Sequence, residues 1–118
     1  MSTSEQPPEI DVEPERVAQA LAEKPAAQVI DVREAYEREA GLIAGSRHVE
    51  LVDLTAQADT IARDRPVFFY CRAGSRSDMA AKAYRAAGFE AYSMSGGLLR
   101  WDREGRPLSP AGGRVAEH

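Results

Sequence analysis

A chain of 118 residues, 43% hydrophobic and 29% charged, has the size and composition of one soluble globular domain around a single core. Its formal charge of −4 excludes an overall basic surface for nucleic acid or an anionic membrane, so any anion site is a local basic patch on an acidic protein. One cysteine excludes an internal disulfide and a zinc site built on several thiolates, and a single thiol fits a reducing compartment.

In chain order, residues 1–8 are polar, carry Pro7-Pro8 and have few apolar anchors, so they read as a mobile tail. They lack the basic start and apolar centre of a secretion signal, and no apolar run reaches membrane-span length. The expectation is a cytoplasmic protein without a membrane partner. Pro14 suits the first turn of a helix whose face carries Val17, Ala18, Leu21 and Ala22, and Pro25 stops it. Val29-Ile30-Asp31-Val32 is a short β-branched strand. The Glu-rich residues 33–40 hold a helical turn or two, with Glu34, Glu37 and Glu39 on a solvated face. Residues 41–46 form a loop, residues 47–52 a third strand, and a helix runs from Asp53 to about Ile61.

Val67-Phe68-Phe69-Tyr70, behind Pro66, is apolar throughout and predicts a strand covered on both faces. After Cys71 comes a helix with capping-box spacing in Ser75-Arg76-Ser77-Asp78, an apolar stripe of Met79, Ala80, Ala83, Tyr84 and Ala87, and Gly88 as its stop. Residues 89–94 form a last strand. Gly96-Gly97 then turns, close to the Cys71 loop, into a short helix with Leu98, Leu99 and Trp101. Residues 109–118, with Pro110, Gly112, Gly113 and the one branched apolar residue Val115, read as a second mobile tail. No internal repeat is present. Alternating strands and helices predict an α/β domain with a mainly parallel sheet and helices on both faces, and ligands bind such sheets beyond the carboxyl ends of the strands. Cys71 stands at that end of the clearest strand.

Two effects act on Cys71. It precedes a helix N-terminus, where unpaired N–H groups and the helix dipole favour negative charge, and it is flanked by Arg72 and Arg76. Both favour the thiolate, the nucleophilic form, and predict a reactive group instead of a buried core cysteine. Gly74 lets the loop Cys71-Arg72-Ala73-Gly74-Ser75-Arg76 curl so that N–H groups point inward, and Ser75 adds a hydroxyl. The other polar and aromatic candidates are expected to serve structure. Asp31 caps a turn, and Arg33 pairs with Glu34, Glu37 or Glu39. His48 is structural or exposed, and with His118 leaves little for a metal. Tyr70 and Trp101 are packing residues.

The segment Cys71-Arg72-Ala73-Gly74-Ser75-Arg76-Ser77 resembles the active-site loop of single-domain rhodaneses, the sulfurtransferases. The resemblance spans roughly residues 9–108. Val29-Ile30-Asp31-Val32-Arg33 looks like the family's early strand motif. Gly41-Leu42-Ile43-Ala44-Gly45-Ser46 looks like its Gly-His-Ile-x-Gly-Ala loop, with Leu42 where histidine is common and Ala44 where proline is common. Ser95-Gly96-Gly97-Leu98-Leu99-Arg100-Trp101 looks like its closing Gly-Gly-x-x-x-Trp segment.

The resemblance implies a rhodanese-like three-layer domain over residues 9–108, with a mainly parallel five-stranded sheet, between tails 1–8 and 109–118. It implies Cys71 as the catalytic residue and Arg72, Ala73, Gly74, Ser75 and Arg76 as the substrate-binding loop, with no metal or organic cofactor. The thiolate would take the outer sulfur of a small anionic donor such as thiosulfate. The resulting persulfide would pass it to cyanide, a thiol or a protein acceptor; nucleic acid and membranes are not expected partners. Two other functions use the same loop: a persulfide carrier without turnover, and an oxyanion phosphatase or arsenate reductase. The last wants five residues between Cys and Arg, and here four, 72–75, separate Cys71 from Arg76.

Overall fold

In the computed structural model, residues 9–23 and 27–117 are described. The expected tail 1–8, the stop at Pro25 and His118 lie outside them. The strand expected from Val67-Phe68-Phe69-Tyr70 is β4, Val67–Tyr70, buried at all four positions. Around it lie β1 (Asp11–Val12), β2 (Gln28–Asp31), β3 (Arg47–His48) and β5 (Ala91–Met94), in the order β1-β5-β4-β2-β3 with every pairing parallel. Period-two alternation divides β4 between two cores. Phe68 and Tyr70 face α1 (Pro14–Ala22) and α5 (Gly97–Arg103), packing with Val17, Ala20, Leu98 and Trp101. Phe69 and Val67 face α4 (Ser75–Ala86) and α3 (Leu54–Gln57), packing with Ala80, Ala81, Tyr84 and Leu54. The result is the three-layer α/β domain that the alternation of elements predicts.

The helical faces differ in detail from the expectation. In α1 Val17 and Ala20 are buried, Ala18 and Leu21 pack partly buried against the same core, and only Ala22 of the expected face is exposed. In α4 the buried stripe is Ser77, Ala80, Ala81 and Tyr84, which leaves Met79 61% exposed and puts Ala83 and Ala87 outside. Its N-cap is Gly74, without a side-chain cap bond, and Ser75 is already the first helical residue, so the Ser75/Asp78 box does not form. A capping box closes instead on α2 (Ala35–Ala40), between Glu34 and Glu37.

The third strand is shorter than residues 47–52. Beyond His48 the chain passes the end of β2, where the N–H groups of Val49 and Leu51 go to the carbonyls of Asp31 and Val32, and it curls into a 3-10 turn at Leu51–Asp53. The expected helix 53–61 is the four-residue α3, followed by a second 3-10 turn at Ala58–Thr60. At the other end, residues 109–117 lie against the domain: Leu42 and Ser109 exchange both backbone hydrogen bonds, and the Arg114 N–H donates to the Ala40 carbonyl.

Tyr70 ties β4 to the neighbouring loop. Its hydroxyl donates to Asp31 Oδ2 at 3.1 Å, accepts from the Ile43 N–H at 3.1 Å and lies 3.0 Å from Ser46 Oγ. Burial, and then the negative charge of Asp31, push its pKa up to about 12. The folded state therefore keeps a proton that the unfolded chain loses near pH 10, so this contribution is complete below about pH 10 and is lost as pH rises toward 12. In Tyr70→Phe the alkaline fall in stability is expected to flatten by about one proton, read from urea melts at stepped pH. An unchanged slope would assign the fall to the other tyrosines that burial raises: Tyr84, and Tyr92, whose pKa is pushed up to about 12 by burial and then by Glu90.

Candidate active site

Three parallel strands deliver their carboxyl ends to one edge of the sheet. At the end of β2, Asp31 is fully buried and accepts from Arg33 Nε and Nη2 at 2.8 Å each, from the Arg33 N–H at 3.0 Å and from Arg38 Nη1 at 3.1 Å. Arg33, also fully buried, thus pairs with Asp31 and not with Glu34, Glu37 or Glu39. Burial works against its charge, but the bonds and charge of Asp31 leave its pKa raised overall. Arg33 Nη2 also reaches the Gly41 carbonyl at 2.8 Å, and His48 Nε2 lies 2.7 Å from the Arg33 carbonyl. This buried knot fixes the loop after α2 and keeps Arg33 as a structural residue.

Cys71 follows β4 directly. It is 1% exposed, so the expectation that it is not a buried cysteine is corrected: the residue is both core and cradle. Its Sγ accepts hydrogen bonds from the N–H groups of Gly74 at 3.0 Å and Ser77 at 3.4 Å. Gly74, at φ +114, turns the chain so that its own N–H and that of Ser77 in the first turn of α4 face the sulfur. Ser77 Oγ lies 3.6 Å from Sγ, donates to the Gly74 carbonyl at 3.1 Å and meets Ser93 Oγ at 2.7 Å. Sequence reasoning did not single out this buried hydroxyl pair. A signal was present: Ser93 is a polar residue inside β5, a strand buried at every position.

The loop rests on α5. The N–H groups of Leu98 and Leu99 donate to the carbonyls of Cys71 and Arg72 at 2.8 and 3.0 Å. Gly97 makes that approach possible, since a Cβ there, at φ +61, would stand 2.4 Å from the Arg72 carbonyl oxygen. Gly97→Ala is therefore expected to cost about 3 kcal/mol in denaturant unfolding and to displace the Cys71 loop. A variant as stable as the parent would show that the loop does not depend on this contact.

The two arginines take different parts. Arg76 forms a bidentate ion pair with Glu37, Nη1–Oε1 at 2.8 Å and Nη2–Oε2 at 2.9 Å. Glu37 is 1% exposed and not on the solvated face assigned to it; its Oε1 also accepts the Glu34 N–H that closes the capping box. These bonds raise the pKa of Arg76; burial opposes them, while the charges of Glu37 and a Cys71 thiolate add to the rise. Arg72 is half-buried and donates Nε to the Ala116 carbonyl at 2.9 Å. Ala73 and Ser75 are exposed at the mouth of the loop. The arrangement directs two backbone donors and a helix N-terminus at one sulfur, which can hold a thiolate or an anion bonded to it. Among the described residues, no group of three or more His, Cys, Asp or Glu side chains is placed to bind a metal.

The model of the family described as rhodanese-like domain matches residues 13–104. YqhL of Bacillus subtilis is 42% identical over 76 residues, covering 64% of this chain, and the chain spans 60% of that relative's length. Thiosulfate sulfurtransferase GlpE of Pseudomonas aeruginosa is 37% identical over 94 residues, which cover 76% of this chain and 81% of that protein. A crystal structure of a rhodanese-related protein from Thermoplasma volcanium matches at a TM-score of 0.76 with 26% identity, covering 85% of this chain and 97% of that one.

Proposed function

The chain belongs to the rhodanese-like domain family, and we propose that it is a sulfurtransferase, moving a sulfane sulfur from thiosulfate or a related donor to a thiophilic acceptor through a persulfide on Cys71. The observation that carries the reading is Sγ at the focus of the Gly74 and Ser77 N–H groups at the head of α4. In the first step the thiolate attacks the outer sulfur of the donor. The donor's S–S bond breaks, its electron pair leaves on sulfite, and Cys71 carries a terminal sulfur anion held by the loop N–H groups. In the second step an acceptor attacks that terminal sulfur, the new S–S bond breaks, and its electron pair returns to Cys71. Cyanide would leave as thiocyanate and a thiol as a persulfide.

The mouth of the loop fits this role. Arg72 supplies a guanidinium for the anionic end of the donor, while Arg76, matched by Glu37, shapes the loop. Four residues between Cys71 and Arg76 make a cradle narrower than a tetrahedral oxyanion wants, which favours sulfur over phosphate. The chemistry needs a reduced thiol, so a cytoplasmic location is part of the proposal; among the described residues no helix is long and apolar enough to cross a membrane.

Steady-state formation of thiocyanate from thiosulfate and cyanide tests the reading, with turnover on the order of 1–10³ per second expected of an enzyme. Stoichiometric labelling of Cys71 without turnover would replace it with a persulfide carrier that serves a protein acceptor.

A further inference from the structure

The segment 109–117 lies outside the span 13–104 matched to the family model, yet its backbone is fitted closely to the domain. Leu42 and Ser109 exchange backbone bonds at 3.0 and 2.7 Å, and the Arg114 N–H donates to the Ala40 carbonyl at 2.8 Å. A Cβ on Gly41 would stand 2.5 Å from the Arg114 carbonyl oxygen, so the close approach of the two backbones requires glycine there. Val115 packs with the α1/α5 core, and Ala116 is 7% exposed. From this seat the Ala116 carbonyl accepts Arg72 Nε at 2.9 Å. Among the described residues the Arg72 side chain has no other hydrogen-bond or ion-pair partner, whereas Arg76 is bound to Glu37. The bond through Nε fixes the plane of the Arg72 guanidinium and leaves both Nη groups for another anion. A long side chain ordered in advance does not lose that freedom when its ligand arrives.

We propose that residues 114–117 form a positioning strap which, through the Ala116 carbonyl, orients Arg72 at the mouth of the Cys71 loop to receive the anionic end of the sulfur donor. This rests on the sulfurtransferase reading and adds a determinant of donor specificity to it. Ala116 and Val115 are positioning residues; Arg72 is the group that meets the donor.

The test is single-turnover sulfur loading of Cys71 across a range of thiosulfate concentration, in the full chain and in a chain ending at Gly113. Loss of the strap is expected to raise the half-saturating thiosulfate concentration about tenfold while changing the saturating rate less than about twofold. Loading from an uncharged organic polysulfide should not change. In an Arg72→Ala background, removing the strap should have no further effect. An unchanged thiosulfate dependence overturns the proposal, as does an equal loss with the uncharged donor, which is general structural damage. Faster loading also overturns it, because the segment then covers the site instead of positioning Arg72.

If the shortened chain does not fold, Val115→Asp unseats the same segment at full length. Arg72→Ala in the intact chain should increase hydrogen exchange at residues 114–117, and unchanged exchange overturns the coupling. Failure of wild type to take sulfur from any sulfane donor is a separate result: it overturns the sulfurtransferase reading, while the exchange measurement still decides whether Arg72 and the strap are coupled.

Discussion

Cys71→Ser is expected to lose sulfur uptake by at least about 10³-fold while keeping its stability within about 1 kcal/mol of the parent. The hydroxyl is nearly isosteric with the thiol and can accept the same N–H groups of Gly74 and Ser77, so a residue this deeply packed is replaced without a cavity. What disappears is the soft anionic nucleophile, and the chain has no second cysteine to substitute for it. Loading followed by mass spectrometry, with urea melts of both proteins, separates the two effects. Uptake near the parent rate in a folded Cys71→Ser would remove Cys71 from the chemistry.

The second large effect is on folding. Arg76→Ala leaves the Glu37 carboxylate at 1% exposure without its bidentate partner, and breaking such a pair from one side costs about 3–5 kcal/mol. That is a large part of an ordinary domain's stability. Glu37→Gln is expected to cost less, about 1–2 kcal/mol, because the Arg76 side chain is 23% exposed and can turn to water. Urea denaturation of the two variants checks the order. Equal and small losses would mean that the pair does not hold the Cys71 loop. The comparison also reports on donor binding: Glu37→Gln frees the charge of Arg76, so tighter thiosulfate use in that variant would make Arg76 a second contact for the donor.

The residues that carried the fold in the sequence were those whose burial follows a local period. Val67-Phe68-Phe69-Tyr70 and Val29-Ile30 were legible as strands because both sheet faces are covered, and Gly88 ends α4 close to where it was expected. β1 escaped notice because two residues at a sheet edge carry no pattern; only the parallel register of Asp11 and Val12 with Ser93 and Met94 makes them a strand. Met79 was misplaced because helical spacing fits two overlapping stripes in α4, and contact with the sheet selects Ser77, Ala80, Ala81 and Tyr84.

In the site, the short loop, its glycine and its two arginines marked Cys71 from local sequence alone. The partners came from far along the chain. Glu37 meets Arg76 across 39 positions and Ala116 meets Arg72 across 44, so both pairings depend on the tertiary fold. Glu37 did carry a local sign, its spacing of three from Glu34 at a helix start, but a run of glutamates otherwise reads as a solvated face. The chain's end read as a tail on composition because Gly112 and Gly113 resemble linker residues, whereas Gly113 and Gly41 lie where two backbones touch.

The intact mass of the protein after incubation with thiosulfate reports directly on a persulfide at Cys71. A gain of one sulfur atom is expected, removed by cyanide and absent in Cys71→Ser. A wild-type protein that gains no sulfur from thiosulfate or any other sulfane donor would contradict it.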